Sequence, residues 1–252
     1  MSEGFQPDPA LASLYPEAAV GGYSRMDGQV EFYLRVNSLV DESSRVLDLG
    51  AGRGQWAVDP MPATSRRLRG LRGRVAEVVG VDPDEVVLEN PALDRAEVVP
   101  LGAPLPFEDG SFDLVIADHV LEHVDAADAA GFVSEVTRVL SPGGWFAART
   151  PNKWGMIGIG ARLVPNSWHV RALRRLQPTR KAEDVFPTRY AMNTRRALRR
   201  LFTGHDVFVY AHTSEPTYFG SSPLAWRLGA LLGRLTPPPL APTLMIFVRR
   251  GG

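Results

Sequence analysis

The feature that most constrains this chain is an apolar segment, Arg45–Leu49, that leads directly into a run of alternating glycines. The sequence VLDLGAGRG places Gly50, Gly52 and Gly54 immediately after this segment. Short apolar runs bounded by glycine are typical of buried strands. Glycine also lets the backbone turn sharply and approach a ligand closely. We therefore predict a strand that presents a ligand-binding loop at its carboxyl end.

The spacing within this loop indicates the kind of ligand. Asp48 is followed by glycine at every second position, which differs from the G-x-G-x-x-G of a pyrophosphate-binding loop. An acid at this position would repel a pyrophosphate, whereas it suits a ligand end that carries an ammonium group. Asp82, which follows the next strand, can accept hydrogen bonds from both hydroxyls of a ribose. Alternatively, Asp82 only caps a helix ahead of Pro83, and the two roles are compatible.

Apolar runs and helical patterns alternate along the chain, which predicts a parallel sheet buried on both faces. The predicted strands are Arg45–Leu49, Ala76–Val81, Ala96–Val99, Phe112–Ala117, Trp145–Arg149, Val207–Tyr210 and Leu244–Val248. The predicted helices are Gln29–Val40, a helix capped by Asp125, Asn193–Phe202 and Leu224–Leu235. In the last of these, five leucines fall on one side, and we expect them to form its buried face. A second hypothesis is that this leucine face and nearby arginines contact an anionic membrane surface.

The formal net charge of zero hides a division of charge along the chain. Residues 1–150 contain 12 Lys and Arg against 24 Asp and Glu, whereas residues 151–252 contain 16 against 4. A basic second half suits an anionic small molecule, a membrane surface or nucleic acid, or it simply covers the acidic half. There is no cysteine, which excludes a disulfide framework and a thiolate nucleophile. Without a signal-peptide pattern or a long apolar run, we expect a cytoplasmic protein.

Four motifs, in order and spread over about residues 45–152, resemble class I S-adenosylmethionine-dependent methyltransferases. They are VLDLGAGRG, VVGVDP, LPFEDGSFDLVIADHVLEHV and VLSPGGWFAARTPN. The resemblance is to the broad small-molecule group that includes quinone-biosynthesis enzymes. It implies a doubly wound α/β fold with a mostly parallel, seven-stranded, Rossmann-like sheet, a helical N-terminal segment and an inserted lid. It also implies transfer of a methyl group from S-adenosylmethionine to an oxygen, nitrogen or carbon of a small molecule.

The resemblance assigns expected roles to individual residues. The residues expected around the cofactor are Asp48, Gly50 and Gly52 at the methionine part, Asp82 at the ribose, Gly102 and Ala103 along the adenine, and Asp118 and His119 beside the methionine and methyl group. Ala51 and Pro83 are also expected to bind the cofactor. One position departs from the family, because Leu101 stands where an acidic or amide side chain often binds the adenine amino group.

Two histidines follow the fourth predicted strand and are the expected catalytic residues. His119 or His123 would remove a proton from the acceptor during methyl transfer. In some relatives the motif E-x-x-E-H binds a divalent metal here, so His119, Glu122 and His123, with His169, are alternative metal ligands. A third interpretation is that Glu122 and His123 only begin the next helix. We expect no divalent metal.

The pattern divides the chain into four parts. They are residues 1–44, a leader and cap helix; 45–152, the S-adenosylmethionine-binding core; 153–192, an inserted lid; and 193–252, which complete the sheet. In the lid, Trp154, Trp168 and Tyr190 are candidates for an apolar pocket, and Arg171, Arg174, Arg175, Arg180 and Arg189 for holding an anion. A solvated basic helix at Trp168–Leu176 is the alternative.

Other functions share parts of this pattern. A nicotinamide-dependent oxidoreductase would carry the G-x-G-x-x-G loop instead. A non-catalytic S-adenosylmethionine-binding protein on the same fold is an alternative, since the fold does not determine function. A methyltransferase acting on a lipid-linked or nucleic-acid substrate is another. We expect a small-molecule acceptor and no nucleic acid, because no base-flipping motif or nucleic-acid module is evident.

Overall fold

In the computed structural model, residues 9–155, 189–215 and 223–251 are described, and they contain one seven-stranded sheet with helices on both faces. The strands are β1 Arg45–Leu49, β2 Glu77–Asp82, β3 Arg95–Val98, β4 Phe112–Asp118, β5 Leu140–Pro151, β6 Asp206–His212 and β7 Thr243–Arg249. All seven overlap the strands predicted from the sequence, and β1 has the same bounds. The largest difference between predicted and observed bounds is in β5, which begins at Leu140 instead of Trp145. Its pairing with β4 shifts register between Leu140 and Trp145.

The strand order in the sheet is β3-β2-β1-β4-β5-β7-β6. Strands β1 to β5 pair in parallel, whereas β7 is antiparallel to both of its neighbours, β5 and β6. The chain moves outward from β1 to β3 and then returns to place β4 on the other side of β1. Ligands of doubly wound sheets bind in the crevice at such a reversal, beyond the carboxyl ends of the strands. The prediction of a doubly wound, mostly parallel sheet is confirmed.

Six helices are described. They are α1 Pro9–Leu14, α2 Gly28–Asn37, α3 Ala63–Arg69, α4 Ala129–Val139, α5 Arg195–Leu201 and α6 Pro223–Leu235. Short 3₁₀ helices occupy Pro16–Ala19, Gln55–Ala57, Glu85–Glu89, Leu121–His123 and Pro238–Leu240. Within the described ranges, no helix is both long enough and apolar enough to cross a bilayer.

The sheet carries a hydrophobic core on each face because successive strand residues point to opposite sides. On one face, Leu47 packs in a cluster with Val136 of α4 and Leu198 of α5. On the other face, Val46 packs in a cluster with Phe32 of α2. Burial on both faces explains why the strands have nearly continuous apolar sequences.

The start of α4 differs from the sequence prediction. The helix begins at Ala129, so Asp128 is its N-cap residue, and the Asp128 side chain makes no capping hydrogen bond. Asp125 lies further upstream, where its carboxylate is 3.2 Å from Nε of Arg189. The prediction that Asp125 caps this helix is therefore wrong, because the chain between Asp125 and Ala129 is not helical.

The leucine face of α6 also differs from its prediction as a buried face. The five leucines, Leu224, Leu228, Leu231, Leu232 and Leu235, have exposed fractions between 49% and 70%. The buried side of the helix instead contains Trp226 and Ala230, and Trp226 clusters with Leu11 and Tyr15 beside α1. The prediction failed because α6 packs on α1, while other helices cover the sheet.

The predicted lid falls largely outside the described residues. Of residues 153–192, the structure describes 153–155 and 189–192. Residues 1–8 of the predicted leader also lie outside the described ranges. The division of the chain into four parts therefore stays a prediction.

Candidate functional site

The loop after β1 turns through three glycines in the left-handed region, where φ is 69° at Gly50, 52° at Gly52 and 63° at Gly54. A Cβ atom on Gly52 would have no heavy atom within 4 Å. A Cβ atom on Gly54 would collide with the Asn90 side chain. The loop is thus packed against Asn90 at Gly54 and is open at Gly52, which leaves room for a ligand to contact the backbone there.

Two side chains from neighbouring segments fix the conformation of this loop. Asn90 donates from Nδ2 to the carbonyl oxygens of Ala51 and Gly52, at 3.0 Å each. Asp82, at the end of β2, accepts hydrogen bonds from the N–H groups of Gly52 and Asp84, both at 3.0 Å. A carboxylate has about four acceptor sites, so Asp82 keeps acceptor capacity for further donors. The role of Asn90 was not predicted, because an asparagine before a proline reads only as a turn signal.

Asp48 brings a second carboxylate to the same edge of the sheet. Burial raises its pKa to about 7, the nearby Arg69 guanidinium opposes that rise, and the carboxylates of Asp118 and Asp82 add to it. Arg69 lies 4.8 Å from the centre of the Trp56 ring, measured from its guanidinium carbon. Near neutral pH, the arrival of a cation would therefore favour ionisation of Asp48.

At the end of β4, Asp118 forms a buried ion pair. Arg149 of β5 donates from Nε and Nη2 to the two carboxylate oxygens of Asp118, both at 2.8 Å. The Tyr33 hydroxyl lies 3.3 Å from one of these oxygens. Burial raises the pKa of Asp118, but Arg149 outweighs it and holds the pKa well below its usual range. Asp118 thus joins β4 to β5 as a carboxylate, and its predicted place beside a cofactor stays a prediction.

The residue after this strand, His119, adopts a left-handed backbone conformation with φ of 64°. Its N–H donates to the carbonyl oxygen of Arg149 at 2.8 Å. The imidazole Nδ1 lies 3.0 Å from Oε1 of Glu122, and the side chain is 44% exposed. A carboxylate therefore orients one ring nitrogen, while the ring as a whole remains accessible.

A chain of hydrogen bonds extends from His119 into the protein interior. Glu122 is buried, and its Oε2 accepts from the Thr150 hydroxyl at 2.8 Å. Asn193 in turn donates to that hydroxyl oxygen at 2.6 Å. Burial raises the pKa of Glu122, but the hydrogen bonds from His119 and Thr150 outweigh it and lower the pKa. The sequence indicated His119 and Glu122, but Thr150 and Asn193 were missed because they come from distant segments.

The remaining predicted residues lie around this edge. Pro83 directly follows Asp82. Gly102 has a left-handed backbone with φ of 76°, and a Cβ atom added there would have no heavy atom within 4 Å. Ala103 donates its N–H to the Pro100 carbonyl at 3.1 Å. Leu101, the residue that departs from the family, is exposed. These positions are compatible with a ligand surface, and their expected roles stay predictions.

The structure gives less information on His123 and on the alternative metal ligands than on His119. His123 is the last residue of the isolated 3₁₀ helix Leu121–His123, whereas the next α-helix begins only at Ala129, so Glu122 and His123 do not begin that helix. Among the described residues, no group of three or more His, Asp or Glu side chains could hold a metal ion. His169, the fourth candidate ligand, lies outside the described residues.

The candidate acceptor pocket is described only at its two ends. Trp154 is 54% exposed, and Tyr190 has a left-handed backbone with φ of 54°. The N–H of Arg189 donates to the Glu122 carbonyl at 2.6 Å. Trp168, Arg171, Arg174, Arg175 and Arg180 lie outside the described residues.

The strand order β3-β2-β1-β4-β5-β7-β6, with β7 antiparallel between β5 and β6, is that of a Rossmann-like methyltransferase fold. In this chain it is combined with a glycine loop after β1 and with Asp82 at the end of β2, which accepts a hydrogen bond from that loop. Comparison with known proteins supports this classification. Residues 47–148 match the family model described as a methyltransferase domain. Over residues 47–148 the chain is therefore similar to a methyltransferase domain, which confirms the resemblance seen in the sequence.

Two curated relatives have related descriptions. The chain is 34% identical over 143 residues to a probable S-adenosylmethionine-dependent methyltransferase of Mycolicibacterium smegmatis, covering 56% of this chain and 50% of that protein. It is 30% identical over 149 residues to a ubiquinone biosynthesis O-methyltransferase of Burkholderia ambifaria, covering 56% and 62% respectively. The chain thus spans about half the length of the first relative.

A solved structure shows the same fold. The geranyl diphosphate C-methyltransferase of Streptomyces coelicolor A3(2) superposes with a TM-score of 0.54 at 17% identity, covering 88% of this chain and 76% of that one. That structure contains S-adenosyl-L-homocysteine. At this identity the likeness concerns the fold.

The residues of this chain fit the cofactor of the class. The space above Gly52 admits a ligand to the backbone, and Asp82 keeps free acceptor capacity beside it. Asp82 places negative charge at the strand ends, and a cationic ligand would favour the ionised form of Asp48 beside it, which suits a ligand that carries a sulfonium and an ammonium group.

Proposed function

We propose that this protein transfers a methyl group from S-adenosylmethionine to an oxygen, nitrogen or carbon atom of a small-molecule acceptor. The observation that carries the proposal is the open glycine loop, held by Asp82, inside a segment that matches a methyltransferase domain. When bound, S-adenosylmethionine supplies an electrophilic methyl group on a positively charged sulfur. The protein then has to align the acceptor and exclude water, which contributes roughly 7–11 kcal/mol in favourable cases.

The cofactor residues act mainly through shape and charge. The Asp82 carboxylate accepts from the ribose hydroxyls, while the backbone of Gly50, Ala51 and Gly52 allows close approach. Asp48 supplies negative charge for the methionine end. Arg149 holds Asp118 in place, so Asp118 shapes this edge of the site without turning its carboxylate away from β5.

His119 accepts the proton when the acceptor has one to lose. Its Nδ1–H donates to the ionised Glu122, which leaves the lone pair on Nε2 available as a base. Thr150 and Asn193 hold Glu122 in the orientation that this tautomer needs. This carboxylate-oriented arrangement supports His119 as the base.

The acceptor is the finer part of the proposal. The positive charge of residues 151–252 supports an anionic acceptor. The relative from Burkholderia ambifaria, described as a ubiquinone biosynthesis O-methyltransferase, supports methylation of a small molecule at oxygen as one outcome. A cytoplasmic location stays part of the proposal.

Two measurements, made one after the other, test the proposed function. Calorimetry with S-adenosylhomocysteine and with NAD should show binding of the first and none of the second. Incubation with methyl-labelled S-adenosylmethionine and a small-molecule extract of the source cells should then give labelled products that increase with time. Binding of NAD alone would contradict the cofactor. Binding of S-adenosylhomocysteine without labelled product from any extract would indicate a non-catalytic binding protein.

A further inference from the structure

The exposed leucine face of α6 lies opposite the side that anchors this helix to the protein. Leu224, Leu228, Leu231, Leu232 and Leu235 have the i, i+4, i+7, i+8 and i+11 spacing that places them within one arc of a helix. Trp226 is 4% exposed and Ala230 8%, on the opposite arc. The helix is therefore packed in place with its leucines outward. A contiguous apolar patch of this kind marks an interaction surface more often than a plain solvated one.

The charges carried by this helix have one sign. The helix sequence PLAWRLGALLGRL contains two arginines and no acid, and Arg227 and Arg234 are seven residues apart, so they share one flank of the leucine arc. Both arginine side chains are exposed. Arginines that flank an apolar helix face bury their stems and keep their charged heads at the headgroup level of a bilayer.

A cleft between α1 and α6 lies beside the same arginines. It has a volume of about 220 Å³ and is lined by Leu14, Tyr15, Arg227, Ala230, Leu231 and Arg234. The neighbouring carboxylates have partners elsewhere, since Glu17 pairs with Arg25 and Glu215 accepts from Ser24. Two guanidinium groups beside an apolar wall match a phosphate headgroup with an attached acyl chain.

The connections between the sheet and α6 lie at the carboxyl edge of the parallel strands. Strand β6 ends at His212 and β7 begins at Thr243, and these two residues pair with each other. Thr243 also pairs with Pro151 of β5, so the connections to α6 leave the sheet at the carboxyl ends of the parallel strands. The side chain of Asn152 donates to the carbonyls of Pro239 and Ala241, which ties the segment after α6 to this edge.

We propose that the leucine face of α6, with Arg227 and Arg234, seats the protein on an anionic phospholipid bilayer with the carboxyl edge of the sheet near the membrane. A second copy of the chain fits this face less well, because two copies meeting there would bring like-charged arginine flanks together. An anionic bilayer supplies the opposite charge. The inference goes beyond methyl transfer, and binding can be measured with neither cofactor nor acceptor present.

Vesicle sedimentation tests the proposal with the full chain. The protein should sediment with phosphatidylcholine vesicles that contain phosphatidylglycerol at low salt, and less at high salt because the charges are screened. Arg227→Ala combined with Arg234→Ala should lower the partition coefficient by about 5-fold per arginine, roughly 30-fold together. Leu228→Ser combined with Leu232→Ser should lower it by at least about 10-fold, because apolar area drives the insertion.

Matched substitutions elsewhere separate this surface from a general effect of charge or hydrophobicity. Arg199→Ala with Arg200→Ala removes the same charge from α5, and Leu34→Ser removes an exposed leucine from α2. Both controls should bind vesicles as the unmodified protein does. No sedimentation of the unmodified protein at low salt would overturn the proposal, as would equal binding by the α6 variants. Self-association that the Leu228 and Leu232 changes abolish, without vesicle binding, would assign the face to a second copy instead.

Discussion

His119 joins an unusual backbone conformation to an oriented imidazole. Asparagine also tolerates the left-handed region, so His119→Asn removes the base while keeping the turn. We expect turnover to fall by about 10²–10⁴-fold, as for loss of a general base, with S-adenosylhomocysteine affinity nearly unchanged. Glu122→Gln should give a smaller loss of turnover, because it leaves the imidazole without its ionised partner.

His123→Ala is the comparison for this prediction, because His123 was the second histidine predicted from the sequence. It should retain most of the turnover. Full activity of His119→Asn, measured as labelled product per minute, would remove His119 from the mechanism and return the assignment to His123 or to no base at all.

Gly52 and Gly73 make a matched pair for testing the cofactor loop. Both have positive φ, 52° and 73°, and both have open space around an added Cβ. Valine costs each of them similar backbone strain, but only Gly52 lies beside Asp82. We expect Gly52→Val to abolish or greatly weaken S-adenosylhomocysteine binding and Gly73→Val to preserve it, by calorimetry on variants with normal circular dichroism. Equal affinities would contradict the location of the site.

Asp82→Ala tests the same site from its acidic side, since it removes the acceptor for the ribose and a hydrogen bond to Gly52. It should greatly weaken S-adenosylhomocysteine binding. Asp82→Asn keeps an oxygen of similar shape and should lose less affinity. Unchanged affinity in a folded Asp82→Ala protein would leave Asp82 as a turn-forming residue only.

Asp48 predicts a pH dependence whose direction follows from its raised pKa. The folded protein holds the Asp48 proton up to about pH 7, whereas the unfolded chain loses it near 3.8. Between these values the folded state binds more protons, so the contribution of Asp48 to stability falls as the pH rises through this window. Asp48→Asn should therefore raise Tm at pH 8, relative to the unmodified protein, more than at pH 4.

Ionisation of Asp48 should raise the affinity for the cofactor, although it lowers the stability of the folded protein. The affinity for S-adenosylmethionine should increase from pH 6 to pH 8 in the unmodified protein, since the Asp48 carboxylate attracts the positive charges of the ligand. In Asp48→Asn that increase should be reduced. Calorimetry at several pH values measures both, and an affinity that falls with pH would refute this role.

At the scale of the residue, the sequence was informative where one local pattern carried the chemistry. The glycine spacing predicted the turn after β1 because the whole pattern lies within nine consecutive residues, and Asp82 was singled out because it directly follows the next apolar run, Ala76–Val81. Arg149 and Asn193 were missed because their partners, Asp118 and Thr150, come from other strands. The only hint in the sequence was that Arg149 is a charged residue at the end of the apolar run WFAAR, where a buried partner of opposite charge could be expected.

At the scale of the element, α2 and α4 show that the same residue type at a helix start has different effects. Asp27 caps α2 by accepting from the N–H groups of Gln29 and Val30 at 2.8 and 3.0 Å, whereas Asp128 at α4 makes no such bond. Asp27→Ala should cost about 1 kcal/mol of unfolding free energy. For a chain of this size, that lowers Tm by roughly 2–4 °C.

Asp128→Ala is the control, and it should change the free energy of unfolding by less than about 0.5 kcal/mol. Thermal melts of the two variants decide the matter. A larger loss from Asp128 than from Asp27 would show that the capping geometry does not determine the stability of these helices.

The elements themselves were largely predictable, whereas their exposure was not. Short apolar runs between helical segments identified all seven strands, because strands that are buried on both faces of a sheet need nearly continuous apolar sequences. The spacing of leucines identified α6 but placed the wrong face inward. Periodicity shows that a helix has an apolar side, and only the packing of α6 on Tyr15 and Leu11 shows which side remains outside.

At the scale of the whole molecule, the last strand lies inside the sheet. Strand β7 pairs with β5 on one side and β6 on the other, and Leu244 and Ile246 are almost completely buried. Leu244→Ala should cost about 2–5 kcal/mol of unfolding free energy. The same substitution at Leu34, which is half exposed, should change it by less than about 0.5 kcal/mol.

Deleting the segment from Pro237 onward tests whether the cofactor half can stand alone. The shortened chain keeps Asp48, Gly52, Asp82 and His119, so it retains the local sequence of the proposed site. It loses β7, which leaves β6 without its partner in the described sheet and uncovers the edge of β5. We expect no cooperative thermal transition and no binding of S-adenosylhomocysteine, because the two core clusters both include β7 side chains. A cooperative transition with retained binding would instead show that residues 1–236 fold and hold the proposed site without β7.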